Sequence, residues 1–220
     1  MVDQPQLHRS AEIEDLAHLT PEDINKPLVN KQQKTKQALI VVDIQNDYFP
    51  GGKWVLSGMD AAADNAAQLI AAARASDDLV VHIRHEFPTS DAPFFALGST
   101  GVQIHAKVQN REDEHVIVKN HINSFRETKL KEVLDRNEIC DIVICGAMSH
   151  MCIDGITRAA HDFGYNCIVI HDACASRDLE FNGIQVPAEH VHAAFMAALG
   201  FAYAKTISTN EFLKNKKTQD

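Results

Sequence analysis

From Ala38 onward the chain alternates short apolar runs with longer stretches whose apolar residues recur three and four positions apart. ALIVVD (38–43), LVVHIRH (79–85), HVIVK (115–119), DIVICGA (141–147), NCIVIHDA (166–173) and AKTISTNEF (204–212) read as strands buried on both faces. DAAADNAAQLIAAARAS (60–76), TKLKEVLDRNE (128–138), CIDGITRAAHDFG (152–164) and AEHVHAAFMAALG (188–200) read as crossover helices. Gly164 and Gly200 stand where helix ends favour a left-handed residue. The pattern predicts an α/β fold, a three-layer sandwich around a roughly six-stranded, mostly parallel, Rossmann-like sheet.

The flanks are different. Residues 1–37 are a polar N-terminal extension with Pro5, Pro21 and Pro27, ending in the Lys-rich KQQKTKQ. Thr20-Pro21-Glu22-Asp23 inside it has the form of a helix start. Residues 213–220 read as a polar tail, leaving 38–212 as a single domain, as suits 220 residues. A net charge of -9 without a basic stripe argues against nucleic acid as a partner. The polar, acidic opening lacks the apolar run of a signal peptide, and no stretch has the roughly 20 apolar residues of a membrane span. A cytoplasmic protein with no membrane partner is expected. Five cysteines, an odd number set in apolar segments, do not describe a disulfide framework.

Parallel sheets gather ligands at the carboxyl ends of their strands. Asp43 ends the first predicted strand, Lys119 ends the third, and Cys152 follows the fourth at a predicted helix start. Each alone has an ordinary explanation: a turn-forming carboxylate, a solvated lysine, a small buried thiol. Together on one sheet edge they form an acyl-transfer set. The helix dipole and Lys119 would favour the thiolate, lowering the thiol from its usual pKa of about 8.5, and Asp43 would exchange its proton.

Asp43-Ile44-Gln45-Asn46-Asp47-Tyr48, Lys119 followed by Asn123-Ser124-Phe125, and Gly146-Ala147-Met148-Ser149-His150-Met151-Cys152 match three signatures in order and spacing. Thr157-Arg158-Ala159-Ala160 and Asp172-Ala173-Cys174-Ala175 extend the match. Over roughly 38–212 the chain resembles the cysteine-hydrolase branch of the isochorismatase-like superfamily, of nicotinamidase, ureidoacrylate amidohydrolase and streptothricin hydrolase type. That resemblance implies the isochorismatase-like hydrolase fold, with Cys152 as nucleophile, Asp43 as general base and Lys119 as support for the thiolate. It also implies a non-proline cis peptide at Ala147-Met148, with the Met148 and Cys152 N–H groups forming an oxyanion hole, and a homo-oligomer, dimer or tetramer. Because the isochorismate-cleaving members need no covalent thioester, the retained cysteine favours hydrolysis of a small carbonyl compound, an amide above all.

The metal motif of the nicotinamidase-like members, an Asp-x-His pair followed by another His, is replaced here by His82-Ile83-Arg84-His85-Glu86-Phe87. His82 and His85, three apart on a strand, should face opposite ways, so neither a metal nor any other cofactor is expected. Candidate substrate contacts are Tyr48, Trp54, His85, Phe125 and Ser149, with the Phe-rich loop 86–95 as a pocket wall. Arg84, Arg126 and Arg177 could each hold a substrate carboxylate by paired hydrogen bonds and could equally form structural salt bridges. His190 and His192 read as ordinary helix positions. Two alternatives to the hydrolase remain at this point: a non-catalytic scaffold that kept the fold, and a thiol redox or persulfide-handling protein using Cys152 with Cys145 or Cys174.

Overall fold

A computed structural model describes residues 36–218. The extension and the helix start at Thr20 lie outside the described residues, apart from the last two positions before Ala38. Six strands, β1 (Gln37–Val42), β2 (Leu79–His85), β3 (His115–Lys119), β4 (Asp141–Ala147), β5 (Asn166–Ala175) and β8 (Lys205–Ile207), form one sheet in the order β3-β2-β1-β4-β5-β8. Every pair in it is parallel. The chain winds outward from β1 to β3, then restarts on the other side of β1 with β4. The crevice between β1 and β4 is therefore the switch point at which such sheets take ligands.

The strands carry apolar residues at successive positions because both faces are covered. On β1, Leu39 and Val41 face helix α1 (Met59–Ala75) and helix α5 (Thr209–Lys217). Ala38, Ile40 and Val42 face α2 (Leu130–Arg136), α3 (Asp154–Asp162) and α4 (Ala188–Ala202). This is the expected three-layer sandwich. Helix α1 buries Ala62, Ala63, Ala66, Leu69, Ile70 and Ala73, a stripe at helical spacing whose small residues bring the helix close to the sheet. At the edge, β3 alternates: Val116 and Val118 are exposed, while Ile117 and Lys119 are buried. The two-residue period of a strand thus turns a lysine inward.

Three expectations need correction. The segment 204–212 is a strand only over Lys205–Ile207, after which Ser208 accepts the Glu211 N–H at 3.2 Å and starts α5. Residues 213–217 complete that helix instead of forming a tail. Gly200 lies inside α4, where a Cβ would stand 2.8 Å from Thr206 Oγ1; close packing on β8 requires it, not a helix end. Gly164, at φ +92, does follow α3 as a left-handed residue. A small hairpin of β6 (Leu179–Phe181) and β7 (Ile184–Val186) was not anticipated; it turns on Asn182-Gly183, both at positive φ.

Two features hold the sheet edge in shape. At Gly146 (φ +122) a Cβ would stand 1.9 Å from Val42 O, so only glycine lets β4 pass the end of β1. Below the sheet edge, Glu114 binds Arg74 Nε and Nη2 at 2.7 and 2.9 Å, accepts the Arg111 N–H at 2.8 Å and meets His82 Nε2 at 3.2 Å. This cluster ties α1, β2 and the lead into β3 together. Burial alone would raise the Glu114 pKa, but the Arg74 guanidinium and the Arg111 N–H hold it at about 2.

Gly146→Ala is expected to cost at least about 3 kcal/mol, through backbone strain and the clash with Val42, read as a lower urea midpoint. Because its carboxylate is stabilised in the fold, Glu114 contributes stability above pH 4.5 that is lost as pH falls toward about 2. Glu114→Gln should lower the midpoint at neutral pH and flatten that acid limb, a comparison made by thermal melts across the range.

Candidate active site

The first strand ends in a turn that aims Asp43 into the crevice. Asp43 adopts φ 51, which aspartate tolerates better than most residues, while its N–H still bonds Ile83 O at 3.0 Å. Gln45 then clamps the end of β2: its Nε2 donates to His85 O (2.8 Å) and Val102 O (2.7 Å), and its Oε1 accepts the His85 N–H at 2.8 Å. Asp47 accepts the N–H groups of Phe95 at 2.6 Å and Lys53 at 3.1 Å, drawing two loops over the strand ends. Sequence reasoning gave Gln45 and Asp47 no individual roles; their partners lie up to 57 positions away.

The nucleophile loop leaves β4 through a cis peptide at Ala147-Met148, where the resemblance places one, and coils into a π-helical turn, Ser149–Ile153, that runs on into α3. Ser149 Oγ lies 3.1 Å from Ala175 O and 2.8 Å from His192 Nδ1, and His150 Nδ1 lies 2.8 Å from Ser176 Oγ. The loop is thereby fixed to the end of β5 and to α4.

At the floor of the crevice the three predicted residues meet. The Lys119 ammonium lies 2.8 Å from Asp43 Oδ2, 3.1 Å from Cys152 Sγ, 3.0 Å from His85 Nδ1 and 3.1 Å from His121 O. Asp43, Lys119 and Cys152 are almost wholly buried. Burial alone would lower the Lys119 pKa, but Asp43 and Cys152 more than offset it, so the lysine is held charged. An ammonium only donates, so His85 Nδ1 accepts and its proton sits on Nε2. Burial, reinforced by Lys119, brings the His85 pKa down to about 4 and keeps the ring neutral.

The thiol corrects the expected acidification. Burial first, and the Asp43 carboxylate second, push Cys152 up to about 12 despite the opposing pull of Lys119. The helix dipole does not prevail. Releasing the thiol proton to solvent would leave a buried group of net negative charge; passing it to Asp43 would leave the trio neutral. Apart from Lys119 and the thiol, Asp43 has no hydrogen-bond donor among the described residues. Proton transfer between Cys152 and Asp43 is the move this geometry favours.

Asp43, His85 and Cys152 also place donor atoms within 4.8 Å of one another, a spacing open to a metal ion. The Lys119 ammonium already fills the place of a cation among these three groups, so the residues fit an ammonium better than a metal. His82 and His85 do face opposite ways, His82 toward Glu114 and His85 toward Lys119.

Above the floor is a cavity of about 480 Å³, walled by Tyr48, Trp54, Phe87, Phe94, Ile122 and Met151, with His85, Met148 and Cys152 at its base. His150, Arg177, Asp178, Leu179 and Glu180 complete its lining. Of the candidate contacts, Tyr48, Trp54 and His85 line this cavity, as do Phe87 and Phe94 of the Phe-rich loop. Phe125 and Ser149 are not among the lining residues. Phe125 packs against Phe163 and Tyr165, with ring centroids 5.1 and 6.2 Å away, and Ser149 is spent on anchoring its loop. Of the three arginines only Arg177 lines the cavity; Arg84 pairs with Glu86 and Arg126 with Glu127. The hairpin residues Leu179 and Glu180 were missed, although the Asn-Gly turn signalled a hairpin. Cys145 and Cys174 are buried outside the lining, and burial pushes both thiols up, Cys174 to about 12.

The family model "Isochorismatase domain" matches residues 37–211. The chain belongs to the isochorismatase family. It is 48% identical over 177 residues to the isochorismatase family protein YddQ of Bacillus subtilis (strain 168), covering 80% of this chain and 98% of that one. A crystal structure of an isochorismatase-type hydrolase from Oleispira antarctica superposes with a TM-score of 0.80 at 54% identity, covering 82% of this chain and 97% of that chain. A streptothricin hydrolase of Streptomyces noursei is 32% identical over 145 residues, 65% of this chain and 51% of that protein. With its family and its Asp43-His85-Cys152 cluster, the chain is a hydrolytic enzyme with cysteine-dependent chemistry. Among the described residues no helix is long and apolar enough to cross a membrane.

Neutral iodoacetamide should alkylate Cys152 slowly at pH 7, with a rate that keeps climbing past pH 9 instead of levelling off near the pKa of a free thiol. Asp43→Asn leaves the thiol facing Lys119 alone, so its pKa should fall and alkylation at pH 7 should quicken by about tenfold or more. Peptide-resolved mass spectrometry checks both rates; slower labelling in the variant would contradict the charge assignment.

Proposed function

We propose that the enzyme hydrolyses the C–N bond of a small amide through an acyl-Cys152 intermediate. The observation that carries this reading is the Lys119 ammonium, set 2.8 Å from Asp43 and 3.1 Å from the Cys152 thiol at the base of the cavity.

Cys152 Sγ attacks the carbonyl carbon while its proton passes to Asp43, and Lys119 steadies the sulfur as it gains charge. The carbonyl oxygen becomes an oxyanion received by the backbone N–H groups of Met148 and Cys152. Collapse breaks the C–N bond, and protonated Asp43 returns the proton to the leaving nitrogen. Asp43, again a carboxylate, takes a proton from water, whose oxygen attacks the thioester. The thiolate leaves beside Lys119 and recovers the proton from Asp43. The sum is amide plus water giving acid plus amine.

An amide suits this machinery because its nitrogen is a poor leaving group until protonated, and Asp43 holds a proton at the moment it is needed. The likeness to a streptothricin hydrolase supports hydrolysis of a small molecule, as do the cavity volume of about 480 Å³ and its aromatic walls.

Incubation with a panel of small aromatic amides and esters, and with an aldehyde that traps nucleophilic thiols, tests the proposal by intact-protein mass and product release. An adduct and turnover are expected in the wild type and neither in Cys152→Ala. Asp43→Asn should turn over roughly 10²- to 10⁴-fold more slowly while its thiol labels faster. Adducts on both wild type and Cys152→Ala, or turnover that survives Cys152→Ala, would sink the mechanism.

A further inference from the structure

Helix α4 (Ala188–Ala202) has two apolar faces. One is used within the chain: Ala188, Val191, Met196 and Leu199 are buried. On the other, His190, Ala193, Ala194, Ala197, Ala198 and Phe201 fall within an arc of roughly 140° at a helical step of roughly 100° per residue, and all six are exposed. Phe201 is 92% exposed, more than any other large apolar side chain among the described residues. From His190 to Ala204 the sequence has no Asp, Glu, Lys or Arg, in a chain where those residues make up 23%. A surface helix normally turns charge outward, and one that is apolar all round is covered on both sides.

Charge at the ends of this face identifies the cover. Glu189 stands at its start, 3.8 Å from His190 Nε2, and Lys205 follows its far end, 4.0 Å from Glu211; both side chains are exposed and only loosely paired. The order acidic, apolar, basic is matched by its own reverse, so a second copy laid antiparallel sets each end against its opposite. With a two-fold axis level with the peptide between Phe195 and Met196, Ala193 meets the partner's Ala198, Ala194 meets the partner's Ala197, and Phe201 meets the partner's His190. The alanines let the helices approach closely, and antiparallel helix dipoles attract. A bilayer fits less well, because a face that lies on anionic lipid carries a row of cations and this chain has a net charge of -9.

We propose that α4 is the contact of a two-fold homodimer, packed antiparallel on α4 of a second copy through Ala193, Ala194, Ala197, Ala198 and Phe201, with Glu189 paired to the partner's Lys205. The inference is independent of the amide-hydrolase reading. Other side chains of the same helix hold the nucleophile loop, His192 Nδ1 at 2.8 Å from Ser149 Oγ and the Phe195 ring 6.1 Å from that of His150, so the second copy stands behind that loop.

Sedimentation velocity of the full chain from about 1 to 100 µM, with circular dichroism to confirm folding, tests the contact. The wild type is expected to be a dimer; if it is a tetramer, the variants should stop at the dimer. Ala197→Glu puts a charge at the middle of the face and, because a two-fold contact repeats every change, should raise the dissociation constant about a hundredfold or more. Phe201→Ser should raise it about tenfold or more, and decides the matter if Ala197→Glu does not fold. Glu189→Lys and Lys205→Glu should each weaken the dimer about tenfold, and the two together should recover most of the loss, which a merely structural role for either residue would not produce. A wild type that is monomeric throughout the range, folded Ala197→Glu and Phe201→Ser proteins that assemble as tightly as the wild type, or a double charge exchange no tighter than the single ones would each overturn the proposal.

Discussion

A buried ammonium organises this molecule. Lys119 lies almost wholly out of water, where an unpaired charge would be costly, and four groups share its three protons: Asp43, Cys152, His85 and the His121 carbonyl. Each arrives on a different piece of the fold. Asp43 comes off β1, His85 ends β2, Lys119 ends β3, and Cys152 lies in the helical turn after β4. The parallel sheet, wound outward from β1 and restarted at β4, brings those ends together. The placement of Gly146 against Val42 and the grip of Gln45 on His85 are the local conditions for their convergence.

The same ammonium explains how a thiol with a pKa near 12 serves a hydrolase. A cysteine that ionises to solvent is reactive all the time; in the mechanism we propose, Cys152 gives its proton to Asp43 and the trio stays neutral. Net charge in the dry floor of the cavity is then the same before and after transfer, which is the arrangement a low-dielectric site tolerates best. On that mechanism, reactivity is tied to the arrival of an acceptor for the sulfur's electrons.

Much of this was legible in the chain. Apolar runs gave the sheet, three- and four-residue spacing gave the four crossover helices, and strand order pointed to the meeting of Asp43, Lys119 and Cys152. The misreadings have physical causes. In 204–212 the β-branched residues outweighed the Ser208-x-x-Glu211 capping pattern that starts α5. Asn182-Gly183 was a readable hairpin signal that went unused. Phe125 and Ser149 sit beside site residues in sequence, yet their contacts are to Phe163, Tyr165, Ala175 and His192, and no local pattern encodes those distances. The pairing that occupies Arg84 and Arg126 and leaves Arg177 without an ion pair among the described residues is likewise a property of the folded chain. Helix-dipole reasoning took no account of burial, the largest cause of the thiol's shift, because burial depth is set by the tertiary fold.

Neutrality at the floor also constrains what can bind above it. A substrate carboxylate close to Cys152 would add negative charge where the attacking sulfur must become a thiolate, raising the same barrier that burial and Asp43 already raise. An anionic group is compatible with this mechanism only if it is held away from the sulfur and neutralised by its own cation. Lys119 cannot be that cation, since its protons are committed to the floor. Arg177, the other cation of the lining, is set against Trp54 and is unpaired among the described residues. The two cations of the site therefore differ by environment: the compact, fully buried ammonium is committed to the groups of the floor, and the half-buried guanidinium stands against an indole face.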